Sequence, residues 1–473
     1  MAGSVNIFNT GKSALFSSRS ALSTTGHNIS NVNTEGYSRQ RVEQESVAAD
    51  RLGNVVYGTG VRVAGIQRIN DEYLTRQVSH ETKFLGQYRE KDVALMQADS
   101  IFNELNNEGL NRLMAKFFNE FRKLGNDPES EAMRATVRES TDQLIGDFHR
   151  ISRSLRDIQK NIDVRLETNI REANELVDRL AHLNEEIKRS ELNTHSQAAD
   201  LRDKRDVAIK KLSEIADISV ASNERGELTV SLSGVGPLVS GSLKNKLYVE
   251  TAKSNEEGRP EGSLVVRLEH NNSPDVGGRI KNGKLGGLLE SRDQILGTAA
   301  RRLDELAFTF ASKINEIHRK GYTVGGDTGI DYFEQPDSIE GAAERLSLSS
   351  DVREDANNIA TALMPDAPGD NRVVLLISKL QHQRVMGGGK STFDDHYNAT
   401  VADLATIAQK NKQVLEHQNH IVEQLEKIRQ SIAGVSLDEE TMNLVQFQQA
   451  FNASAKVIKV ADEMLETVLN LRR

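Results

Sequence analysis

Residues 444–468 read LVQFQQAFNASAKVIKVADEMLETV, and their rhythm decides the fold. Leu444, Phe447, Phe451, Ser454, Ile458, Ala461, Leu465 and Val468 follow one another at alternating spacings of 3 and 4, and seven of the eight are apolar. That is the seam of an α-helix packed on one partner helix. A second stripe, Ala450, Ala453, Val457, Val460, Met464 and Leu471, runs beside it at the same rhythm. One stripe serves a two-helix seam, whereas two call for neighbours on more than one side. Either the helix is buried in its own domain or it is a terminal helix that packs into an assembly.

The other end of the chain favours assembly. Phe8, Leu15, Leu22 and Ile29 fall seven residues apart, with small residues at the intervening positions Gly11, Ser18 and Thr25 and a second track of Ile7, Ala14 and Ala21. The spacing predicts a heptad helix whose small positions allow close backbone approach. Asn31, Asn33 and Gly36 break it, and the Val/Gly-rich piece around 54–63 reads as short strands.

Between the ends, the prolines set the organisation. All seven lie from Pro128 to Pro368, so residues 1–127 and 369–473 are free of the strongest helix breaker. Helix is expected from Asp71 to about Gly125, with a break near 106–109. Asp127–Pro128 is expected to make a turn, with Pro128 opening the next helix. Charged amphipathic helices follow to about Ala216, carrying Leu155, Ile158, Ile162 and Leu166 on one face. Residues 217–275 alternate at period two (Leu228, Val230, Leu232) between glycines and prolines and read as a small β insertion. Helix resumes at about Leu285, and two further helices are expected over about 396–432 and after Gly434.

The composition suits an elongated, helix-rich protein. The chain has 473 residues, of which 37% are hydrophobic and 5% aromatic, with no Trp. A compact enzyme of this length carries more core-forming bulk. The net charge of -9 disfavours nucleic acid or an anionic membrane as the main partner. No apolar run is long enough to span a membrane, and residues 1–20 lack the apolar middle of a secretory signal. The absence of Cys removes disulfides, thiolate metal sites and cysteine nucleophiles together. It also fits a chain that crosses compartments unfolded.

No catalytic constellation emerges, and no cofactor or metal is expected. Gly387–Gly388–Gly389–Lys390–Ser391 follows the apolar run 373–377 and invites a phosphate-loop reading, but the first glycine that motif requires is replaced by Arg384. His417 and His420 stand three apart on a helix, on a face of Gln, Asn, Lys and Glu that reads as solvated surface. Asp394–Asp395 and Glu439–Glu440 sit where capping or helix-dipole roles suffice.

Residues 21–40 carry Asn28–Ile29–Ser30–Asn31, then Asn33–Thr34, then Gly36–Tyr37–Ser38–Arg39–Gln40. This stretch resembles the segment shared by bacterial flagellar rod, hook and hook-associated proteins. Its ending, Tyr37–Ser38–Arg39–Gln40, is more similar to the hook-associated protein 1 family than to hook or rod proteins. Gly434–Val435–Ser436–Leu437–Asp438–Glu439–Glu440, Asn443–Leu444 and Phe447–Gln448 resemble the ending of the same family, as do Gly286–Asp293 and Asn315–His318 in between.

The resemblance implies a mainly α, elongated, multi-domain flagellar axial protein with paired N- and C-terminal coiled-coil helices and a small β insertion. It implies an inner-tube helical domain of residues 1–60 and 434–473, a helical body of 61–216 and 285–433, and a β-rich outer insertion of 217–284. The expected role is a non-enzymatic structural adaptor forming the hook–filament junction; another axial component, a hook or distal-rod protein, is the alternative. A soluble nucleotide-binding enzyme is a remoter one. The implied partners are identical subunits in a ring, hook protein on one side, a second junction protein or the filament on the other, and an export chaperone. Nucleic acid and membrane insertion are not expected. The location implied is the extracellular flagellum, reached by type III export without a cleaved signal. The assembly residues are expected to be Phe8, Leu15, Leu22, Asn28, Ile29, Asn31, Thr34, Gly36 and Tyr37, with the C-terminal seam Leu444, Phe447, Phe451, Ile458, Ala461, Leu465 and Val468.

Overall fold

The computed structural model describes residues 2–52, 55–102, 109–192, 197–222, 227–251, 264–269 and 275–470, with the side chains at 2–5, 50, 52, 55, 468 and 469 left undescribed. Helix α1 (Ala2–Ser30) leads into strands β1 (Gln40–Ser46), β2 (Asp50–Leu52), β3 (Val55–Tyr57) and β4 (Val61–Arg68). Helices α2 (Glu72–Phe102), α3 (Leu110–Leu124), α4 (Glu131–Glu191) and α5 (Ala199–Ile215) follow. Strands β5 (Ile218–Ser222), β6 (Leu228–Leu232), β7 (Gly236–Ser240), β8 (Leu243–Lys244), β9 (Leu247–Thr251) and β10 (Leu264–Leu268) precede α6 (Gly283–Glu290). A wide π-helical turn, Ser291–Leu296, joins α6 to α7 (Gly297–His318). Then come β11 (Phe333–Glu334), α8 (Ala342–Arg345), β12 (Ser347–Leu348), α9 (Ser350–Glu354), α10 (Arg372–Lys379), α11 (Phe393–Ala433) and α12 (Leu437–Asn470). The chain is mainly α, with small antiparallel sheets and a long helix at each end, as the hydrophobic rhythm requires.

One difference from the sequence reading has a local cause. Pro128 lies in the turn before α4 rather than in its first turn. Ser130 takes the capping position, its Oγ accepting from the Met133 amide at 3.4 Å. The apolar run at 373–377 forms the body of α10, with Val373, Val374 and Ile377 buried. A phosphate loop needs a strand feeding its glycines. Here a helix ending in a 3-10 turn precedes them, and Met386 and Ser391 close the glycine loop as a tight hairpin.

Packing divides the chain into two compact units, Met1–Gly86 with Asn169–Gly283 and His417–Arg473, and Gln87–Thr168 with Lys284–Glu416. The second unit concentrates the aromatics. Phe117, Phe118, Phe121, Phe148, Phe310, Tyr332, Phe333 and Phe393 are all fully buried. Phe117 lies within 5.2 Å, centroid to centroid, of Phe118, Phe121 and Phe310. Burying such rings contributes about 1.5–3 kcal/mol each. Arg134 is buried beside this core, where Nε and Nη2 donate to the Pro128 carbonyl at 3.1 and 2.7 Å and Nη1 donates to the Ile359 carbonyl. Its solvent-free guanidinium therefore fastens the turn before α4 to the segment after α9.

In the first unit, β1 and β4 form an antiparallel pair, Gln40 opposite Arg68 through Ser46 opposite Val61, with a bulge at Glu43/Gln44. Strands β5–β8 form a four-stranded meander and β9 pairs with β10. Leu74 and Val78 of α2 pack on Ile421 and Leu425 of α11. No helix among the described residues is long and apolar enough to cross a membrane.

Candidate assembly site at the paired termini

Helices α1 and α12 pack side by side along the first unit. The small-residue positions of α1 make the contact close: Gly11, Ser18, Ala21 and Thr25 are buried, while Phe8, Leu15, Leu22 and Ile29 flank them half-buried. A Cβ at Gly11 would stand 2.9 Å from Ile458 Cγ1 and 3.3 Å from Val457 Cγ1, so the helices touch through hydrogen here. On α12, Ser454 and Ala461 are buried, and Leu444, Phe447, Phe451, Ile458 and Leu465 are half-buried beside them. The side chain of Val468 and the whole of Leu471 lie outside the described residues. The second stripe is open in the single chain, with Val457, Val460 and Met464 at 42%, 48% and 48% exposure. Phe16 of α1 is likewise exposed, at 62%.

The end of α1 is joined to the start of α12 by a buried polar cluster. Asn28 is 1% exposed, and all four hydrogen-bonding capacities of its amide are used. Its Nδ2 donates to the Gln40 carbonyl at 2.9 Å and to Glu440 Oε2 at 3.0 Å, while Oδ1 accepts from Tyr37 Oη at 2.8 Å and from the Gln40 amide at 3.0 Å. Glu440, also 1% exposed, takes Arg39 Nε on its other oxygen at 2.7 Å, and Arg39 Nη1 reaches the exposed Glu439 at 2.7 Å. The Arg39 amide donates to the Ala433 carbonyl at 2.8 Å, so both backbone and side chain bind the two ends. A buried carboxylate with a guanidinium on one oxygen and an amide on the other is paired and hydrogen-bonded, the condition under which such burial is tolerated.

The turn between Asn28 and Gln40 is held by α5. Gly36 has φ +77°, and a Cβ there would come within 2.1 Å of Val207 Cγ2. Both the left-handed backbone and the missing side chain are therefore required. The Ser38 amide donates to Asp203 Oδ2 at 2.9 Å, and Arg68 Nη1 lies 2.8 Å from Asp203 and 2.7 Å from Asp206. Burial, reinforced by Asp200, Asp203 and Glu440, drives the Tyr37 phenol far above its usual range and keeps it a donor to Asn28. Burial also raises the Asp203 carboxyl, opposed by its bonds from Ser38 and Arg68. Asn31 and Thr34 stay outside the cluster: Thr34 Oγ1 donates to Asn31 Oδ1 at 3.2 Å and stabilises the local turn.

Pattern reading marks Asn28, Gly36 and Tyr37 but not their partners. Glu440, for which a helix-dipole role suffices in the sequence, receives Asn28 across 412 residues of chain. Asp203, Val207 and Arg68 carry no sequence signal, since their roles arise from folding. Of Asp394 and Asp395, Asp395 takes part in a cap, with the Thr392 amide donating to Asp395 Oδ2 and the Asp395 amide to Thr392 Oγ1, both at 3.1 Å. His417 and His420 are exposed, and among the described residues no group of three metal-ligating side chains converges.

Residues 8–37 match the family described as flagella basal body rod protein, and residues 429–471 match flagellar basal body rod FlgEFG protein C-terminal. These are the two stretches that make the paired termini, and they define the class, a flagellar axial protein. Residues 95–333 match the flagellar hook-associated protein FlgK helical domain. The flagellar hook-associated protein 1 of Bacillus subtilis (strain 168) is 30% identical over 501 residues, covering 98% of this chain and 97% of that one. Its namesake in Escherichia coli (strain K12) is 25% identical, covering 99% of this chain and all of its own. The solved flagellar hook junction protein FlgK of Burkholderia pseudomallei shares the fold, with a TM-score of 0.66 at 15% identity over 76% of this chain and 100% of that one. The chain belongs to the flagellar hook-associated protein 1 family.

Proposed function

We propose that the chain is a structural adaptor of the bacterial flagellum that forms the hook–filament junction and permits filament assembly on the hook. One observation carries this most: a sealed clasp around Asn28 and Glu440 holds α1 and α12 together while an apolar stripe on α12 is left open. A helix pair fixed on one side and apolar on another is suited to packing among identical neighbours. The relatives' names, hook-associated protein 1 and hook junction protein, point the same way.

On this reading residues 1–60 and 434–473 form the inner-tube part, 61–216 and 285–433 the helical body, and 217–284 the outer insertion. Subunits close into a ring, with hook protein on one side and a second junction protein or the filament on the other. The chain leaves the cell through the flagellar type III apparatus, escorted by a chaperone. It acts by mechanical joining, with Phe8, Leu15, Leu22 and Ile29 facing Leu444, Phe447, Phe451, Ile458, Ala461 and Leu465. Deleting the gene tests the proposal: complete hooks with flagellin released into the medium are expected. Loss of the hooks themselves would assign the chain to the hook or rod instead.

A further inference from the structure

The first unit also holds a cavity of about 300 Å³ lined by four arginines, Arg68, Arg76, Arg202 and Arg205, against two carboxylates, Glu72 and Asp206. Two of the arginines are matched within the chain. Arg68 is paired with Asp203 and Asp206, and Arg202 grips Glu191 through Nε and Nη2, both at 2.8 Å. Arg76 is exposed at the cavity's edge.

Arg205 stands apart. It is 5% exposed, and its one hydrogen bond among the described residues runs from Nη1 to the neutral amide oxygen of Asn184 at 3.3 Å, while Nε has no partner. Burial lowers its pKa to about 10, with Asp206 and Glu191 opposing and Arg202 and Arg68 adding repulsion. The group still ionises at neutral pH, so a buried cation faces a cavity without a carboxylate bonded to it. Such a charge is costly unless an anion completes it. Ile209, Val220 and Leu228 supply apolar lining to the same cavity.

We propose that this cavity binds a carboxylate carried on a short apolar stem, with Arg205 as its principal partner and Arg76 closing on it from the edge. The planar fork of a guanidinium matches the two oxygens of a carboxylate, and the apolar lining accommodates the stem. The carboxylate is either a free small acid or the side chain of a glutamate on another chain.

Thermal unfolding of the full chain, titrated with sodium butyrate against sodium chloride at equal ionic strength, tests the site. A saturable rise in Tm with butyrate and with N-acetylglutamate amide, absent with the glutamine analogue, is expected. Tighter binding of the capped glutamate than of butyrate assigns a protein side chain as the source, and the reverse assigns a free acid. Arg205→Met should abolish the butyrate response, and Arg76→Gln, at an exposed position, should weaken it at least threefold. Equal responses to butyrate and chloride, or a butyrate response retained in Arg205→Met, would overturn the site. If Arg205→Met does not fold, Arg76→Gln decides, and an unchanged butyrate affinity overturns the proposal.

Discussion

Asn28→Asp changes one atom's chemistry inside the clasp and hardly its shape. Nδ2 of Asn28 donates to the Gln40 carbonyl and to Glu440 Oε2. An aspartate would place a second carboxylate about 3 Å from the buried one. Two ionised carboxylates at that distance are resisted, so the introduced carboxyl is expected to take up a proton and donate it to Glu440. Holding a carboxyl with an unfolded pKa near 3.9 protonated at pH 7 costs about 4 kcal/mol. The lost bond to the Gln40 carbonyl adds about 0.5–1.5 kcal/mol, giving about 5 kcal/mol in all. The sign follows from the protons. The folded variant binds one proton more than its unfolded chain, so its deficit shrinks as pH falls, by about 1.4 kcal/mol per pH unit from 7 towards 4. Urea unfolding of both proteins across that range, with amide exchange locating the transition to residues 24–46, measures the deficit. Groups common to both chains cancel in the difference. A deficit below about 0.5 kcal/mol at pH 7, or one that does not change with pH, would refute the account of the clasp.

Gly36→Ala should cost about 2–5 kcal/mol, combining the left-handed backbone with the collision on Val207. In a Val207→Ala background only the backbone part, about 1–2 kcal/mol, should remain, because the nearest atom is then Cβ at 3.6 Å; a double-mutant cycle in urea reads the coupling. Val460→Asp, at a 48% exposed position, should leave monomer stability within about 0.5 kcal/mol yet prevent incorporation at the hook tip, scored by filament counts. His318 is fully buried as a neutral ring between the Ile330 carbonyl and the Ala360 amide, and burial lowers its pKa to about 4. Its unfolded form therefore binds the extra proton between about pH 6.5 and 4, so its contribution, about 3 kcal/mol, is present above pH 6.5 and lost as pH falls towards 4. The unfolding free energy of His318→Asn should fall less steeply with acid over that window, by up to one proton.

Helices α4, α11 and α12 are legible in the sequence because long periodic runs without proline leave a chain little choice. Strand β1 is not. Its sequence, QRVEQES, is mostly exposed, and it forms because β4 pairs with it across the loop, a tertiary decision that propensity does not record. The apolar run of α10 is too short for periodicity to separate strand from helix. At the candidate site, the seams and the Asn28–Tyr37 motif are visible as patterns. The Asn28–Glu440 bond, the Gly36–Val207 contact and the position of Arg205 depend on residues brought together only by folding.

The central claim is where the chain sits, and immunogold labelling of purified hook–filament structures measures that directly. With a tag placed in the exposed β8 strand (Leu243–Lys244), label is expected in one narrow band at the boundary between hook and filament. Label distributed along the hook, the rod or the filament would contradict a junction role.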